Sequence, residues 1–184
     1  MTAHSTGQRH AGSAITREML GDGGRAATTA ATQDRDDLLV TAFVMCQMWG
    51  GGGSGRVMAN TRRALADPPL TREALRDFAD AVATDPAAAA RGSLPGWRWA
   101  FSTKLGYALT YDRAVVGGRP ALIYDSYVIS SLRALGAEDH GGYGGYLEAV
   151  WDVAARHQVR PDALEQLLFS PKLDLRTWED PRLD

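Results

Sequence analysis

The sequence is poor in the residue types that build disulfide frameworks and metal centres. Its 184 residues include one cysteine, Cys46, and four histidines, and no CxxC or HExxH spacing occurs. A disulfide framework and a zinc site made of several thiolates are therefore excluded, and we expect no metal and no cofactor. The longest apolar stretch, residues 38–49, is too short to cross a bilayer. Since residues 1–15 also lack the apolar centre of a signal peptide, we expect a cytoplasmic protein without a membrane partner.

Lysine is also scarce, with 2 lysines against 18 arginines. The net charge of −2 excludes a strongly basic nucleic-acid-binding protein but leaves room for a local basic face. Arginine is always charged, whereas lysine can lose its proton when it is desolvated. Lys172 follows a Ser-Pro pair near the C-terminus and is typical of a surface residue. Lys104 lies among apolar and aromatic residues and is the more informative of the two.

The pattern of apolar residues predicts an all-α protein. Residues 1–34 are rich in small and polar residues, which favours a disordered tail, and residues 35–184 are expected to form one helical domain. Glycine and proline residues divide the chain into segments. The segments between them are predicted to be helical over residues 38–49, 56–66, 71–84, 97–109, 121–135, 146–157 and 161–169. Thr71 is expected to cap the third of these helices, and no alternating strand pattern is convincing.

Two charged residues lie on apolar helical faces. Side chains three and four positions apart share one face of a helix. The neighbours of Lys104 on that basis are Ala100, Phe101, Tyr107 and Ala108, and those of Asp125 are Ala121, Leu122, Val128 and Ile129. Burying either charge alone costs several kcal/mol, so we expect the two to face one another across a cleft.

Two interpretations of this pair remain open. In one, Lys104 and Asp125 form a structural ion pair, or Asp125 caps the helix that follows it. In the other, a desolvated lysine is the nucleophile and the carboxylate moves protons or stabilises a cationic intermediate. A Lys–Asp pair without metal or cofactor suits the formation of a Schiff base at a sugar or carbonyl carbon.

Part of the chain resembles a known enzyme superfamily. The stretch Ser102-Thr103-Lys104-Leu105, followed by Ala108-Leu109 and by residues 120–128 (PALIYDSYV), resembles the catalytic segment of helix-hairpin-helix DNA glycosylases. The resemblance is closest to the lysine-bearing 8-oxoguanine DNA glycosylases and their divergent bacterial relatives, and it covers about residues 94–135. Residues 94–96 (LPG) are similar to the opening of the hairpin, whereas Trp97-Arg98-Trp99 replaces its second glycine pattern.

The resemblance implies a compact helical fold, a DNA substrate and a division of roles in the site. Lys104 would attack C1′ of the deoxyribose, and Asp125 would be the acid/base or oxocarbenium-stabilising group. The implied reaction excises an oxidised or modified purine such as 8-oxoguanine, and β-elimination can then nick the strand. Because C1′ cannot be reached inside a duplex, the target nucleotide must be everted.

An everted base needs an aromatic pocket, and the DNA backbone needs phosphate contacts. The candidates for the pocket are Trp49, Trp97, Trp99, Phe101 and Tyr107. The candidates for phosphate contacts are Gly53, Ser54, Gly55 and Arg56, where a glycine-rich loop meets a predicted helix, together with Arg98. A flexible linker between two helices explains the glycine-rich loop equally well. We expect a monomer.

Two other classes of function remain open at this point. One is a catalytically inactive helical module that binds DNA or protein, in which the Lys–Asp pair is structural. The other is a lysine-imine enzyme that acts on small carbonyl compounds and has no affinity for DNA. Salt-dependent binding to DNA is expected of the DNA glycosylase and of the inactive DNA-binding module, and it separates both from the enzyme that acts on small carbonyl compounds.

Overall fold

The computed structural model describes residues 15–51, 54–92, 97–137 and 141–169. Within these residues the fold is all-α, as predicted, and no strand occurs. The helices are α1 (Arg17–Thr29), α2 (Thr32–Gly51), α3 (Gly55–Ala64), α4 (Pro68–Thr84), α5 (Trp99–Leu109), α6 (Tyr111–Val115), α7 (Ser126–Ala134), α8 (Gly142–His157) and α9 (Pro161–Leu168), with a 3-10 turn at Pro86–Ala90. In the part of the chain that is described, no helix combines the length and the apolar character that crossing a membrane requires.

Helix α1 lies within the predicted N-terminal tail, so the tail prediction is wrong for these residues. Residues 1–14 lie outside the described residues, but residues 17–29, which the composition assigns to the tail, form a helix that packs on α2 and α5. The composition indicates disorder because this segment has few large apolar side chains. Its small residues have a different effect: a Cβ on Gly24 would lie 1.9 Å from the carbonyl oxygen of Ala108, so only glycine allows this approach to α5.

Helix α5 occupies the centre of the molecule. Every residue from Ser102 to Ala108 is buried, and the helix contacts α1, α2, α4 and the 3-10 turn. A helix that is buried on all sides must be apolar on all sides, and α5 meets this condition except at Lys104 and a few hydroxyl groups. The one lysine in the described residues is therefore carried by the most enclosed helix.

The start of α4 differs from the prediction. Asp67, and not Thr71, caps this helix, and its carboxylate accepts a hydrogen bond from the backbone N–H of Leu70 at 3.1 Å. Pro68 occupies the first helical position, where the absence of an N–H group has no cost. The two prolines, which the sequence pattern predicts as a break, therefore begin the helix.

The segment before α7 also differs from the prediction. Residues 121–125 are not helical, so Ala121 and Leu122 do not share a helical face with Asp125. The segment is buried, and side chains satisfy its backbone polar groups. Thr110 Oγ1 accepts a hydrogen bond from the N–H of Ala121 at 2.8 Å, and the hydroxyl of Tyr143 donates to the carbonyl of Leu122 at 2.8 Å.

Candidate active site

Lys104 and Asp125 form a buried ion pair. The amine Nζ of Lys104 lies 3.2 Å from Oδ2 of Asp125, and the two side chains are 6% and 10% exposed. The same amine donates a hydrogen bond to the carbonyl oxygen of Ala100 at 3.1 Å. The predicted juxtaposition of the two charges is therefore present, and neither charge is left without a partner in a poorly solvated region.

Asp125 is held in place by its backbone context. Its Oδ1 accepts hydrogen bonds from the N–H groups of Tyr127 and Val128, at 3.0 and 3.3 Å, so the residue is the N-cap of α7. One residue earlier, the N–H of Tyr124 donates to Oγ1 of Thr103 on α5 at 3.2 Å. The structural interpretation as a cap is thus confirmed, and it leaves the second oxygen of the carboxylate free to face Lys104.

The amine of Lys104 lies between α5 and the end of α2. It is 5.9 Å from the ring centroid of Trp49 and 5.6 Å from that of Phe101. A Cβ on Gly50 would lie 3.0 Å from both Cδ and Cε of Lys104, so the glycine provides the space in which the lysine side chain is accommodated. Two of the five predicted pocket residues, Trp49 and Phe101, therefore lie beside the amine.

Two further aromatic residues extend this group. The ring of Trp49 is stacked on that of Phe169 with 6.5 Å between centroids, and Phe169 contacts Tyr127 edge to face at 5.3 Å. Tyr127 is 52% exposed and follows Asp125 by two residues. We call Trp49, Phe101, Tyr127 and Phe169 the aromatic cluster, because the first two lie beside the amine and Phe169 connects Trp49 to the exposed Tyr127.

The other predicted pocket residues are placed elsewhere. Trp97 packs in the core against Phe43 and Phe78, at 5.3 and 4.9 Å between ring centroids. Tyr107 is fully buried, and its hydroxyl donates to Asp162 at 3.0 Å. Trp99 is 40% exposed and rests on Tyr124. The geometry therefore gives no support to Trp97 and Tyr107 as pocket residues.

Three of the five residues that are predicted to contact phosphates lie at the exposed start of α3. Ser54 caps this helix and Gly55 begins it, and both are exposed, as is Arg56; Gly53 lies outside the described residues. A Cβ on Gly51 would lie 2.5 Å from Val57, so this glycine allows the start of α3 to pack closely against the end of α2. The preceding residue, Gly50, borders Lys104. Arg98 is exposed immediately before α5.

The pair is covered rather than open. Two cavities, of about 420 and 230 Å³, lie elsewhere: the first is lined by Trp151 and Arg160, the second by Arg25 and Tyr111, and neither touches Lys104 or Asp125. The expected cleft beside the pair is therefore not one of these two cavities.

Sequence reasoning missed a second buried ion pair near the first. Arg17 on α1 contacts Glu165 on α9, and the Glu165 side chain is fully buried. Burial raises the pKa of Glu165, and the charge of Arg17 lowers it in part. Because the composition assigns residues 1–34 to a tail, no signal in the sequence links Arg17 to a position 148 residues away.

The remaining titratable group beside Lys104 is a thiol. Burial raises the pKa of Cys46 to about 12, although the positive charge of Lys104 works against this effect. The thiol is therefore protonated at neutral pH and inert as a nucleophile. No group of three or more potential metal-binding side chains occurs among the described residues.

Comparison with known proteins gives one match. A model of the family described as "Putative 8-oxoguanine DNA glycosylase OGG-like protein" matches residues 2–169, which is most of the chain and includes Lys104 and Asp125. No curated protein and no solved structure matches.

Proposed function

Since the chain belongs to the 8-oxoguanine DNA glycosylase OGG-like family, we propose that it excises an oxidised or modified purine, such as 8-oxoguanine, from DNA. Membership supports a DNA glycosylase-like function in general. The observation that carries the finer proposal is the Lys104–Asp125 pair, whose amine lies 3.2 Å from a carboxylate oxygen beside the aromatic cluster. In this proposal Lys104 is the nucleophile and Asp125 is its proton partner.

The contact between the two groups defines the first step. Asp125 accepts a proton from the Lys104 ammonium through Oδ2, which leaves a neutral amine while Oδ1 keeps α7 capped. The amine then bonds to C1′ of the everted nucleotide. The C1′–N9 bond breaks, its electron pair leaves with the purine, and the purine takes up the proton that the attacking nitrogen releases.

The second step follows from the N,O-acetal that remains at C1′. As the C1′–O4′ bond breaks and the sugar ring opens, Asp125 returns its proton to O4′, which gives a protonated imine between Lys104 and C1′. Loss of a proton from C2′ then expels the 3′ phosphate by β-elimination and nicks the strand. Borohydride reduces the imine and fixes the chain to the DNA, so the intermediate can be trapped.

The aromatic cluster suits the everted base. Aromatic rings stack on bases with little dependence on base identity. Trp49 and Phe101 lie near the amine, at 5.9 and 5.6 Å, so a base that displaces or stacks on them brings its C1′ towards Lys104. The movement of these side chains would uncover an amine that is otherwise 6% exposed.

Because the chain has two lysines, a trapping experiment can identify the reacting residue. Lys104 and Lys172 are the two lysines of the chain, so a reduced adduct has few places to form. With a duplex that carries one 8-oxoguanine, we expect wild type and Lys172→Gln to give an adduct under borohydride, and Lys104→Gln to give none. Peptide mapping should place the adduct on Lys104. An undiminished adduct in Lys104→Gln would remove Lys104 as the nucleophile.

The start of α3 and Arg98 are proposed to bind phosphates. Each phosphate contact that is lost should reduce the salt dependence of DNA binding by about one unit of slope. We expect this reduction for Arg56→Ala and for Arg98→Ala. Arg72→Ala is the matched control, because Arg72 pairs with Asp37 on another face and should leave the slope unchanged.

One observation favours the inactive alternative: the pair is covered, and Asp125 already has a structural role as a cap. In that case the chain is a helical DNA-binding or protein-interaction module. Lys104→Arg would keep the ion pair without a usable nucleophile, so DNA binding by both proteins without release of 8-oxoguanine by either would favour the module. Release of 8-oxoguanine by the wild type and not by Lys104→Arg would favour the enzyme.

A further inference from the structure

Helix α3 carries three arginines on the face that points away from the rest of the protein. Val57, Thr61 and Ala64 are buried and pack the helix on α2. With about 3.6 residues per turn, the opposite face is exposed and consists of Arg56, Ala59, Arg62 and Arg63. We call it the arginine face. The alanine between the arginines is small, so a large partner can approach this face closely.

The positive charge of the arginine face is not neutralised by the described part of the chain. Helix α3 has no acidic residue. None of its three guanidinium groups has an ion-pair or hydrogen-bond partner among the described residues. On the neighbouring helices α2 and α4, by contrast, Arg35 contacts Asp80 and Arg76 contacts Asp36. The arginines of α3 are therefore available to an anion from outside the chain.

The arginine face starts beside the candidate active site. A Cβ on Gly50 would lie 3.0 Å from Lys104, and a Cβ on the next residue, Gly51, would lie 2.5 Å from Val57 on α3. The end of α2 thus borders both the lysine and the first turn of α3. The two arginines of the last turn lie about 8 to 9 Å further along the helix axis than Val57. DNA whose everted nucleotide reaches Lys104 would therefore have its neighbouring nucleotides close to this face.

The composition of the arginine face indicates which anion it fits. A guanidinium is planar and always charged, and it donates two parallel hydrogen bonds to a phosphate. Proteins that bind single strands add aromatic rings on which the bases stack. Helix α3 has no aromatic residue. The face therefore fits the phosphate backbone of a duplex, whose bases are stacked inside, better than it fits a single strand.

We propose that the arginine face binds the phosphate backbone of duplex DNA, and that Arg62 and Arg63 hold the part of the duplex that flanks the damaged nucleotide. The flanking position rests on the proposed function, whereas the binding to duplex DNA does not. The ten residues of α3 are about 15 Å long, which is the length of about four base pairs at about 3.4 Å each. The face is therefore long enough to bind phosphates beyond the damaged nucleotide. These contacts hold the DNA and take no part in the chemistry at C1′.

The first test measures binding of the full chain to an undamaged duplex by fluorescence anisotropy over a range of salt concentrations. Each phosphate contact adds about 0.9 to the slope of log affinity against log salt. Arg62→Gln with Arg63→Gln should lower the slope by about two units and weaken binding at about 0.1 M salt by at least about tenfold. Arg62→Lys with Arg63→Lys keeps both charges and should retain most of the slope. An unchanged slope in the glutamine variant would overturn the proposal.

The matched control removes two arginines that already have partners. Arg72 and Arg76 on α4 contact Asp37 and Asp36. Arg72→Gln with Arg76→Gln changes the net charge by the same amount and should keep the wild-type slope. An equal loss of slope in both glutamine variants would mean that net charge alone is responsible, which would overturn the proposal.

Thermal unfolding separates lost contacts from lost structure, because cations in the last turn of a helix also interact favourably with the helix dipole. If the double glutamine variant does not fold, Arg62→Gln and Arg63→Gln are measured singly, and each should lower the slope by about one unit. The same oligonucleotide is also measured as a single strand. A loss of slope on the single strand without a loss on the duplex would overturn duplex DNA as the partner.

The second test uses a duplex with one 8-oxoguanine and separates binding from chemistry. In single turnovers at saturating protein, the double glutamine variant should release the base at the wild-type rate, and below saturation it should be slower. A lower rate at saturation would place the two arginines at the damaged nucleotide and overturn the flanking position. A wild type whose binding slope depends on Arg62 and Arg63 but which releases no 8-oxoguanine would retain the duplex-binding face and refute the proposed function.

Discussion

The Lys104–Asp125 ion pair predicts a strong energetic coupling between two residues that are 21 positions apart. The perturbation is a double-mutant cycle of Lys104→Met and Asp125→Asn. Both substitutions keep side-chain volume, and the amide introduced by Asp125→Asn keeps an oxygen that can cap α7. Each single variant leaves one charge buried without its partner, which costs about 3 to 5 kcal/mol at a fully enclosed site.

The loss of unfolding free energy should be smaller at this site, because the side chains are 6% and 10% exposed and Asp125 keeps its two backbone hydrogen bonds. We expect each single variant to lose about 2 kcal/mol of unfolding free energy, and the double variant to lose about the same. The coupling is then about 2 kcal/mol. Asp125→Ala should lose about 1 kcal/mol more than Asp125→Asn, because it also removes the cap.

Urea unfolding followed by circular dichroism measures these differences. The matched control is a cycle on Arg72 and Asp37, an ion pair whose side chains are 41% and 78% exposed, and it should give no measurable coupling. A coupling below about 0.5 kcal/mol for Lys104 and Asp125 would mean that the two charges are not held together. In that case the structural basis of the proposed site would be lost.

Three further predictions concern the packing around the site. Gly50→Ala should slow borohydride trapping, because its Cβ would lie 3.0 Å from Lys104. Gly144→Ala on α8, with open space around it, should not, and trapping rates on one duplex compare the two variants. Gly24→Ala should lose more than about 2 kcal/mol in urea unfolding, because its Cβ would collide with the backbone of Ala108, whereas Gly23→Ala meets the flexible side chain of Met45 and should stay within about 1 kcal/mol. Cys46 should react with a disulfide reagent at pH 8 far more slowly in the folded chain than in urea, since burial raises its pKa to about 12, and rapid reaction of the folded chain would contradict this.

Most of the helices and the two charges could be predicted from the sequence, because both signals are local, whereas α1 and α6 are not predicted. The apolar stretch at residues 38–49 lies within α2, and the predicted helix at 161–169 differs from α9 by one residue. Lys104 and Asp125 could be singled out because each is a charge among apolar neighbours. The placement of Asp125 beside Lys104 follows from the cost of burying either charge alone.

Apart from the N-cap of α4, the errors have a common physical cause, because they concern contacts between distant parts of the chain. Helix α1 depends on Gly24 fitting against the backbone of α5, which no local pattern reveals. The non-helical residues 121–125 depend on hydrogen bonds from side chains such as Tyr143 on α8. Tyr107 has the same spacing from Lys104 as a pocket residue would have, but Asp162 and Arg17 hold it in the interior.

The burial of Lys104 has a consequence for the side reactions of its amine. Free aldehydes and reducing sugars in solution condense with accessible amines, and such a condensation would block a nucleophilic lysine. The lysine side chain is 6% exposed and has Trp49 and Phe101 beside it, so it presents little surface to these small carbonyl compounds. The burial that limits access to the amine therefore also keeps it available for the reaction proposed above.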